Sequence, residues 1–329
     1  MSDFDDILGH ESIIAHLKNA IEMDKISHSY IFNGEDGIGK MILAKAFVKA
    51  LQCEEGKSTP CNKCHSCIQA ESGNQPDIIY VTHEKDKSIG VDDVRTQLIN
   101  DIVIKPYSSK YKIYIIDEAQ KLTIQAQNAI LKTIEEPPVY GIIIFLTNNS
   151  DNFLPTILSR CIILNFKPVK DEIIKKYLME KCQIPEYHAS LCTSFAQGKP
   201  GRANKLAQSP VFLETKNDLV NLLRNIDKME ISSIVSAIKD IKDKKLDIED
   251  CLDICMLWYR DVLLFKTTRD ANMLIYRDEL GDIKKQAQKS TYEGLNKIMY
   301  AFEEAKKRLY ANVNFEMTME LLFLTMKEC

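Results

Sequence analysis

GEDGIGKM, the glycine-rich run at residues 34–41, separates a short β-rich run from a segment of helical composition. This strand–loop–helix context is the one that a phosphate-binding loop requires. The glycines Gly34, Gly37 and Gly39 let backbone N–H groups converge on phosphate oxygens. The side chain of Lys40 can reach the outer phosphates of a bound nucleotide. The run therefore predicts a nucleotide site at the start of a helix.

The last position of this loop departs from the usual pattern. An active loop carries Ser or Thr there, and the hydroxyl helps to hold Mg²⁺. This chain has Met41, whose thioether is a poor ligand for a cation that prefers oxygen. We expect a loop that binds ATP and Mg²⁺ weakly or without efficient hydrolysis. The alternative is a glycine-rich turn that binds no ligand.

The first half of the chain alternates strand-like and helix-like runs. The strand candidates, rich in β-branched and aromatic residues, are residues 29–33, 77–82, 112–116, 141–147 and 161–166. The helix candidates between them are residues 40–51, 91–101 and 123–134. Nearly continuous apolar runs suit strands covered on both faces. The alternation predicts an α/β fold, a parallel sheet with helices on both faces.

Helical patterns replace the strand-like runs after Pro168. Interior breaks occur at GKPG (residues 198–201) and at QSP (residues 208–210). We therefore predict an α/β domain at residues 1–168, a small helical lid domain at residues 169–208 and an all-α C-terminal domain at residues 209–329. The expected fold class is α/β plus all-α.

Bulk properties exclude some classes of protein. The formal net charge is −4, so the 329-residue chain is not a polycation that would hold nucleic acid by itself. No stretch approaches the ~20 apolar residues of a membrane span. The acidic N-terminus lacks the basic and apolar regions of a signal peptide. We expect a cytoplasmic protein with no membrane partner.

An acidic pair follows the strand candidate at residues 112–116. Asp117 would lie at the carboxyl end of the strand, where ligands gather in open α/β sheets, in a position to bind a metal ion. Glu118 could polarise a water molecule. The alternative is an acidic helix start, because carboxylates favour that position for electrostatic reasons.

Four cysteines with metal-ligand spacing follow the helix candidate at residues 40–51. Cys53, Cys61, Cys64 and Cys67 form a C-x₇-C-x₂-C-x₂-C pattern. Four thiolates complete a tetrahedral shell with no open position, which predicts a structural rather than a catalytic Zn²⁺ site. His65 is the rival ligand to Cys53. The alternative is a set of cysteines without metal, and disulfides are not expected in a reducing compartment.

These pieces, in this order, resemble the clamp-loader branch of the AAA+ family over about the first 208 residues. The matching runs are FDDILGHE (residues 4–11), HSYIFNG (residues 28–34), the cysteine module, NAILKTIEEPP (residues 128–138) and LSRC (residues 158–161). The resemblance implies an AAA+ P-loop domain with a zinc module, a lid, and a C-terminal collar that forms oligomers. The collar is consistent with the family only in length and class.

The resemblance also implies roles for individual residues. Arg160 of the Ser-Arg-Cys motif would reach in trans into a neighbouring subunit's ATP site, where a guanidinium matches phosphate oxygens. The alternative is a structural arginine that pairs with a carboxylate. Thr147 or Asn148 lies at the place of a polar residue that orients water near the γ-phosphate, and the alternative for this position is a helix or turn cap. Gly201 stands where an active subunit carries arginine, with Arg202 one position later.

The leading hypothesis is a non-hydrolysing stator, a rigid subunit of a bacterial replicative clamp loader. The implied partners are other loader subunits of the gamma/tau and delta types, the sliding clamp, and primer–template DNA through the complex. The alternatives are an ATP-hydrolysing gamma/tau-type subunit, which Lys40, Asp117 and Glu118 favour, and a zinc-dependent nucleic-acid binder. The modest basic character of residues 54–69 argues against the last of these.

Overall fold

The computed structural model describes residues 3–83, 88–243, 248–311 and 313–329. The chain forms two compact units. The first contains Met1–Lys176 and Gly198–Arg202, and the second contains Tyr177–Gln197 and Ala203–Cys329. The three-domain division stays a prediction.

A five-stranded parallel sheet lies at the centre of the first unit. Its strands are β1 (Ser29–Asn33), β2 (Ile78–Val81), β3 (Lys112–Ile116), β4 (Gly141–Thr147) and β5 (Ile162–Asn165). The order across the sheet is β2-β3-β4-β1-β5, and every neighbouring pair is parallel. The predicted α/β sheet is therefore confirmed. The strands β2 and β5, at the two edges, are one residue shorter at each end than predicted.

Helices cover both faces of this sheet. The α-helices of this unit are α1 (Glu11–Glu22), α2 (Lys40–Leu51), α3 (His65–Ser72), α4 (Val91–Val94), α5 (Ile124–Glu135), α6 (Pro155–Leu158) and the first part of α7 (Asp171–Glu180). Apolar side chains of α1 and α2 pack on one face of the sheet, and those of α4 and α5 pack on the other. The predicted helix at residues 91–101 is instead a short α-helix followed by a π-helical turn at Arg95–Ile99.

The parallel register places the ends of three central strands at one edge of the sheet. Residues of β1 pair with β4, and residues of β4 pair with β3, in steady register. The backbone N–H of Gly34 then donates to the carbonyl of Thr147 at 3.0 Å. The segments that follow β1, β3 and β4 therefore emerge side by side, which is where ligands bind in open α/β sheets.

Every regular element among the described residues of the second unit is a helix. The α-helices are the end of α7, α8 (Glu186–Ala196), most of α9 (Pro200–Gln208), α10 (Pro210–Asn225), α11 (Ile231–Asp243), α12 (Ile248–Thr268), α13 (Leu280–Lys289), α14 (Tyr292–Tyr310) and α15 (Phe315–Glu328), and two short 3-10 helices lie at Ala271–Met273 and Arg277–Glu279. The helix α12 carries the fully buried Trp258, whose indole N–H donates to Gln286 at 2.7 Å. Within the described ranges, no helix is long and apolar enough to cross a membrane.

Candidate nucleotide site and cysteine cluster

The glycine-rich loop connects β1 to α2 by a tight turn. Gly37 (φ 78°) and Gly39 (φ 113°) have left-handed backbone conformations that favour glycine. Gly39 directly precedes Lys40, the first residue of α2. The loop therefore has the backbone form that its sequence predicts, at the N-terminal end of a helix.

Lys40 contacts acceptors of its own loop. Its side chain is 8% exposed. The ammonium group donates to the carbonyl of Gly34, to the carbonyl of Glu35 at 3.0 Å and to Asp36 Oδ1 at 3.2 Å. The charge that would bind outer phosphates is thus satisfied within the loop, and a nucleotide would have to displace these contacts.

The first turn of α9 packs directly on the same loop. The backbone N–H of Gly201 donates to the carbonyl of Gly37 at 2.8 Å. A Cβ atom added to Gly201 would lie 2.9 Å from that carbonyl oxygen, closer than Cβ atoms approach other atoms. Lys199 also forms an ion pair with Glu35. The loop is therefore closed on this side by backbone contact, and a side chain at position 201 would force the loop or α9 to shift.

The predicted polar residues meet at the same edge of the sheet. The amide of Asn148 donates to Asp36 Oδ2 at 3.2 Å, so Asn148 lies against the loop. Asp117 follows β3, and its Oδ1 accepts the N–H of Glu118 at 2.9 Å. The carboxylate of Glu118 pairs with Lys121 at 2.7 Å. Asp117 and Glu118 are exposed at this edge, and their predicted roles stay predictions.

Sequence reasoning did not identify two residues beside this loop. Asp36 bridges Lys40 and Asn148, but it occupies a loop position where the motif sets no residue type. His10 places its ring 4.7 Å from that of Phe166, with Nε2 3.3 Å from the carbonyl of Ile38. Burial lowers the pKa of His10. Neither contact has a signal in the local sequence.

Arg160 lies between α6 and β5, and its side chain is 40% exposed. Its Nη1 donates to the carbonyl of Thr156 at 2.9 Å and to Ser159 Oγ at 3.1 Å. Its Nη2 lies 3.1 Å from Glu135 Oε1, at the end of α5. Glu135 is therefore the carboxylate partner expected if Arg160 has a structural role. The Arg160 side chain nevertheless reaches the surface.

The four predicted metal ligands form one cluster. The Sγ atoms of Cys53, Cys61, Cys64 and Cys67 all lie within 4.8 Å of one another. The Sγ atoms of Cys61 and Cys67 are 4.0 Å apart, near the ~3.8 Å edge of a tetrahedron with Zn–S bonds of about 2.3 Å. The exposed His65 is not a member of the cluster. The donor set therefore fits a tetrahedral metal ion.

Local backbone groups prepare these sulfurs for a metal ion. Cys61 Sγ accepts the N–H groups of Lys63 at 3.5 Å and Cys64 at 3.3 Å, which lowers the pKa of Cys61 to about 7. Cys64 caps α3 and accepts the N–H of Cys67 at 3.4 Å. All ten cysteines are free of disulfides. Burial raises the pKa of the Cys53 and Cys67 thiols, so the cluster combines one thiol that ionises easily with two that a metal ion would have to help deprotonate.

The sheet order, the glycine-rich loop after β1 and the polar residues after β3 and β4 define an α/β P-loop protein of the AAA+ type. A family model described as DNA polymerase III, delta subunit, matches residues 9–170. The delta′ subunit of DNA polymerase III from Bacillus subtilis is 32% identical over 95% of this chain and 94% of its own length. The chain belongs to the family of DNA polymerase III clamp-loader subunits.

Other relatives include a second type of subunit. The tau subunit of DNA polymerase III from Bacillus subtilis is 27% identical over 95% of this chain. The match covers 60% of the tau sequence. A solved gamma-subunit-related protein from Thermotoga maritima is 20% identical, with a TM-score of 0.47, over 96% of this chain and 98% of its own.

Proposed function

We propose that this chain is a delta-prime-like stator of the DNA polymerase III clamp loader, with little or no ATPase activity of its own. It would assemble with gamma/tau and delta subunits that place the sliding clamp on primed DNA. The similarity to the delta′ subunit extends over nearly the full length of both chains, which supports this assignment.

The observation that carries this proposal is the closed glycine-rich loop. Lys40 is satisfied by the loop itself, and Gly201 hydrogen-bonds to Gly37. Met41 stands where an oxygen ligand for Mg²⁺ is needed. Productive binding of ATP would have to break the loop contacts and would still lack one metal ligand.

Binding and hydrolysis assays on the isolated chain test this part of the proposal. We expect no Mg²⁺-dependent hydrolysis above background and weak or no binding of a fluorescent ATP analogue. The alternative is an ATP-hydrolysing gamma/tau-type subunit. Two observations favour it: Lys40, Asp117 and Glu118 follow strands that end at the same edge of the sheet, and the tau subunit is a relative. Steady turnover by the purified chain would establish that alternative instead.

We propose that Arg160 acts in trans on the ATP of a neighbouring subunit. A guanidinium in this role is worth about 10³–10⁵ in rate at the site it serves. Arg160→Ala should therefore lower ATP turnover of the reconstituted loader, measured without DNA, while the isolated variant melts like the parent. Arg95→Ala, a change at another exposed arginine of the first unit, is the control. Unchanged turnover with Arg160→Ala would reject the role.

We propose that the cysteine cluster holds one structural Zn²⁺. Bound zinc would tie residue 53, just after α2, to the start of α3. All four positions of its shell would be filled by thiolates, which leaves none for a substrate. This site would stabilise the module and take no part in phosphate chemistry.

A further inference from the structure

The guanidinium of Arg160 is held by acceptors of its own chain at both terminal nitrogens. Nη1 donates to the carbonyl of Thr156 and to Ser159 Oγ, within the preceding turn. Nη2 pairs with Glu135, the last residue of α5, which lies on a different element. Both charged side chains are close to half exposed, at 40% for Arg160 and 45% for Glu135. A ligand at the surface could therefore reach the pair.

The position of Glu135 makes it dependent on a cation. Unpaired carbonyls at the C-terminal end of α5 create a negative potential that disfavours a carboxylate. Glu136 follows as the C-cap residue, so two acidic side chains occur together at the end of this helix. Arg160 offsets this repulsion for Glu135. The same carboxylate in turn occupies the part of the guanidinium that would bind a phosphate.

We infer that Glu135 is a latch that holds Arg160 on its own subunit until a neighbour's γ-phosphate displaces the carboxylate. This inference rests on the proposed trans role of Arg160. A phosphate group and a carboxylate compete for the same N–H donors, and both are anions that repel each other at close range. Exposed ion pairs are weak, so the latch changes the ease of engagement by a small factor and does not prevent it.

The test is a reconstituted loader that carries Glu135→Gln, with Glu136→Gln as the matched control. Each variant removes one negative charge from the same helix end, but only Glu135 contacts Arg160. We expect Glu135→Gln to lower the KM for ATP by about 2- to 5-fold, the range that an exposed ion pair supports, with kcat unchanged. Glu136→Gln should leave both constants at the parent values.

Two further results decide the matter. In an Arg160→Ala background, Glu135→Gln should no longer alter KM, because the latched group is gone. If Glu135→Gln has the same KM as Glu136→Gln, the latch is overturned. A fall in the kcat of Glu135→Gln would also overturn it, because Glu135 would then support the active position of Arg160. An Arg160→Ala loader with normal turnover would instead reject the trans role itself. Thermal melts of the isolated variants separate these effects from misfolding.

Discussion

The backbone N–H of Gly201 donates a hydrogen bond to the carbonyl oxygen of Gly37 at 2.8 Å, so the first turn of α9 touches the glycine-rich loop without a side chain between them. A Cβ atom at position 201 would lie 2.9 Å from that oxygen and 3.2 Å from the Gly37 Cα. An arginine carries the same Cβ atom. With this backbone, position 201 cannot carry the arginine expected in active relatives and also keep its contact with Gly37.

Gly201→Ala should destabilise the first unit, because either the loop or α9 must move to admit the methyl group. We expect a loss of about 1–3 kcal/mol in the free energy of unfolding, the usual cost of overpacking, measured by urea denaturation. Gly281→Ala, in α13, is the control, because nothing lies within 4 Å of its added Cβ. That change should stabilise the chain by up to about 1 kcal/mol. Equal stability of Gly201→Ala and the parent would contradict the close contact.

The central strands β1, β3 and β4 could be predicted from the sequence because they are buried on both faces. Residues 112–116 and 141–147 are nearly continuous apolar runs, and the structure gives β3 and β4 the same bounds. The spacing of the cysteines likewise predicted a cluster, since Cys61, Cys64 and Cys67, with two residues between successive members, converge through local geometry. The local sequence pattern was enough to predict those features that depend on residues close together in the chain.

The contacts that modify the candidate site could not be predicted in this way. Gly201 reaches Gly37, and Glu135 reaches Arg160, only through the tertiary fold. The prolines at positions 137 and 138 explain why the helix ends there, but no local pattern connects Glu135 with Arg160. The π-helical turn at Arg95–Ile99 also lacks a local signal, because its apolar residues suit an α-helix equally well.

Asp77→Asn should destabilise the first unit through the loop that precedes β3. Asp77 is 1% exposed, and its carboxylate accepts the backbone N–H groups of Tyr107 at 2.6 Å, Ser108 at 2.9 Å and Ser109 at 3.0 Å. An amide replaces one acceptor oxygen with a donor, which leaves at least one N–H without a partner. We expect a loss of about 1–3 kcal/mol in urea denaturation.

The control for this change is Asp92→Asn. Asp92 is 89% exposed and lies 3.7 Å from Arg95, which is itself 57% exposed, an arrangement that contributes little to stability. Its replacement should alter the free energy of unfolding by less than about 0.5 kcal/mol. If both variants unfold at the same urea concentration, the three hydrogen bonds to Asp77 do not hold this loop.

Cys64→Ser should lower metal content and stability together, because a hydroxyl is a poor substitute for a thiolate ligand of zinc. The parent chain should contain one equivalent of zinc by elemental analysis. The variant should bind zinc at least about 10-fold more weakly, and a strong chelator should lower the melting temperature of the parent. Cys182→Ser, at a cysteine outside the cluster, should keep the full equivalent. A parent chain free of zinc after metal-replete expression would refute the site.

Lys216→Met should stabilise the second unit at neutral pH and lose this advantage in alkali. Lys216 is 4% exposed, with Nζ 5.7 Å from the centre of the Tyr276 ring. Desolvation lowers its pKa; Arg224 also lowers it and Asp278 raises it. The unfolded chain therefore binds the proton more tightly, and the stability of the parent rises as pH increases from the folded pKa towards 10.5. In urea denaturation, the difference in the free energy of unfolding between Lys216→Met and the parent should be smaller at pH 10 than at pH 7. The control is Lys284→Met, on an exposed part of α13, for which this difference should not change with pH. A difference that does not vary with pH would mean that Lys216 is hydrated in the folded state.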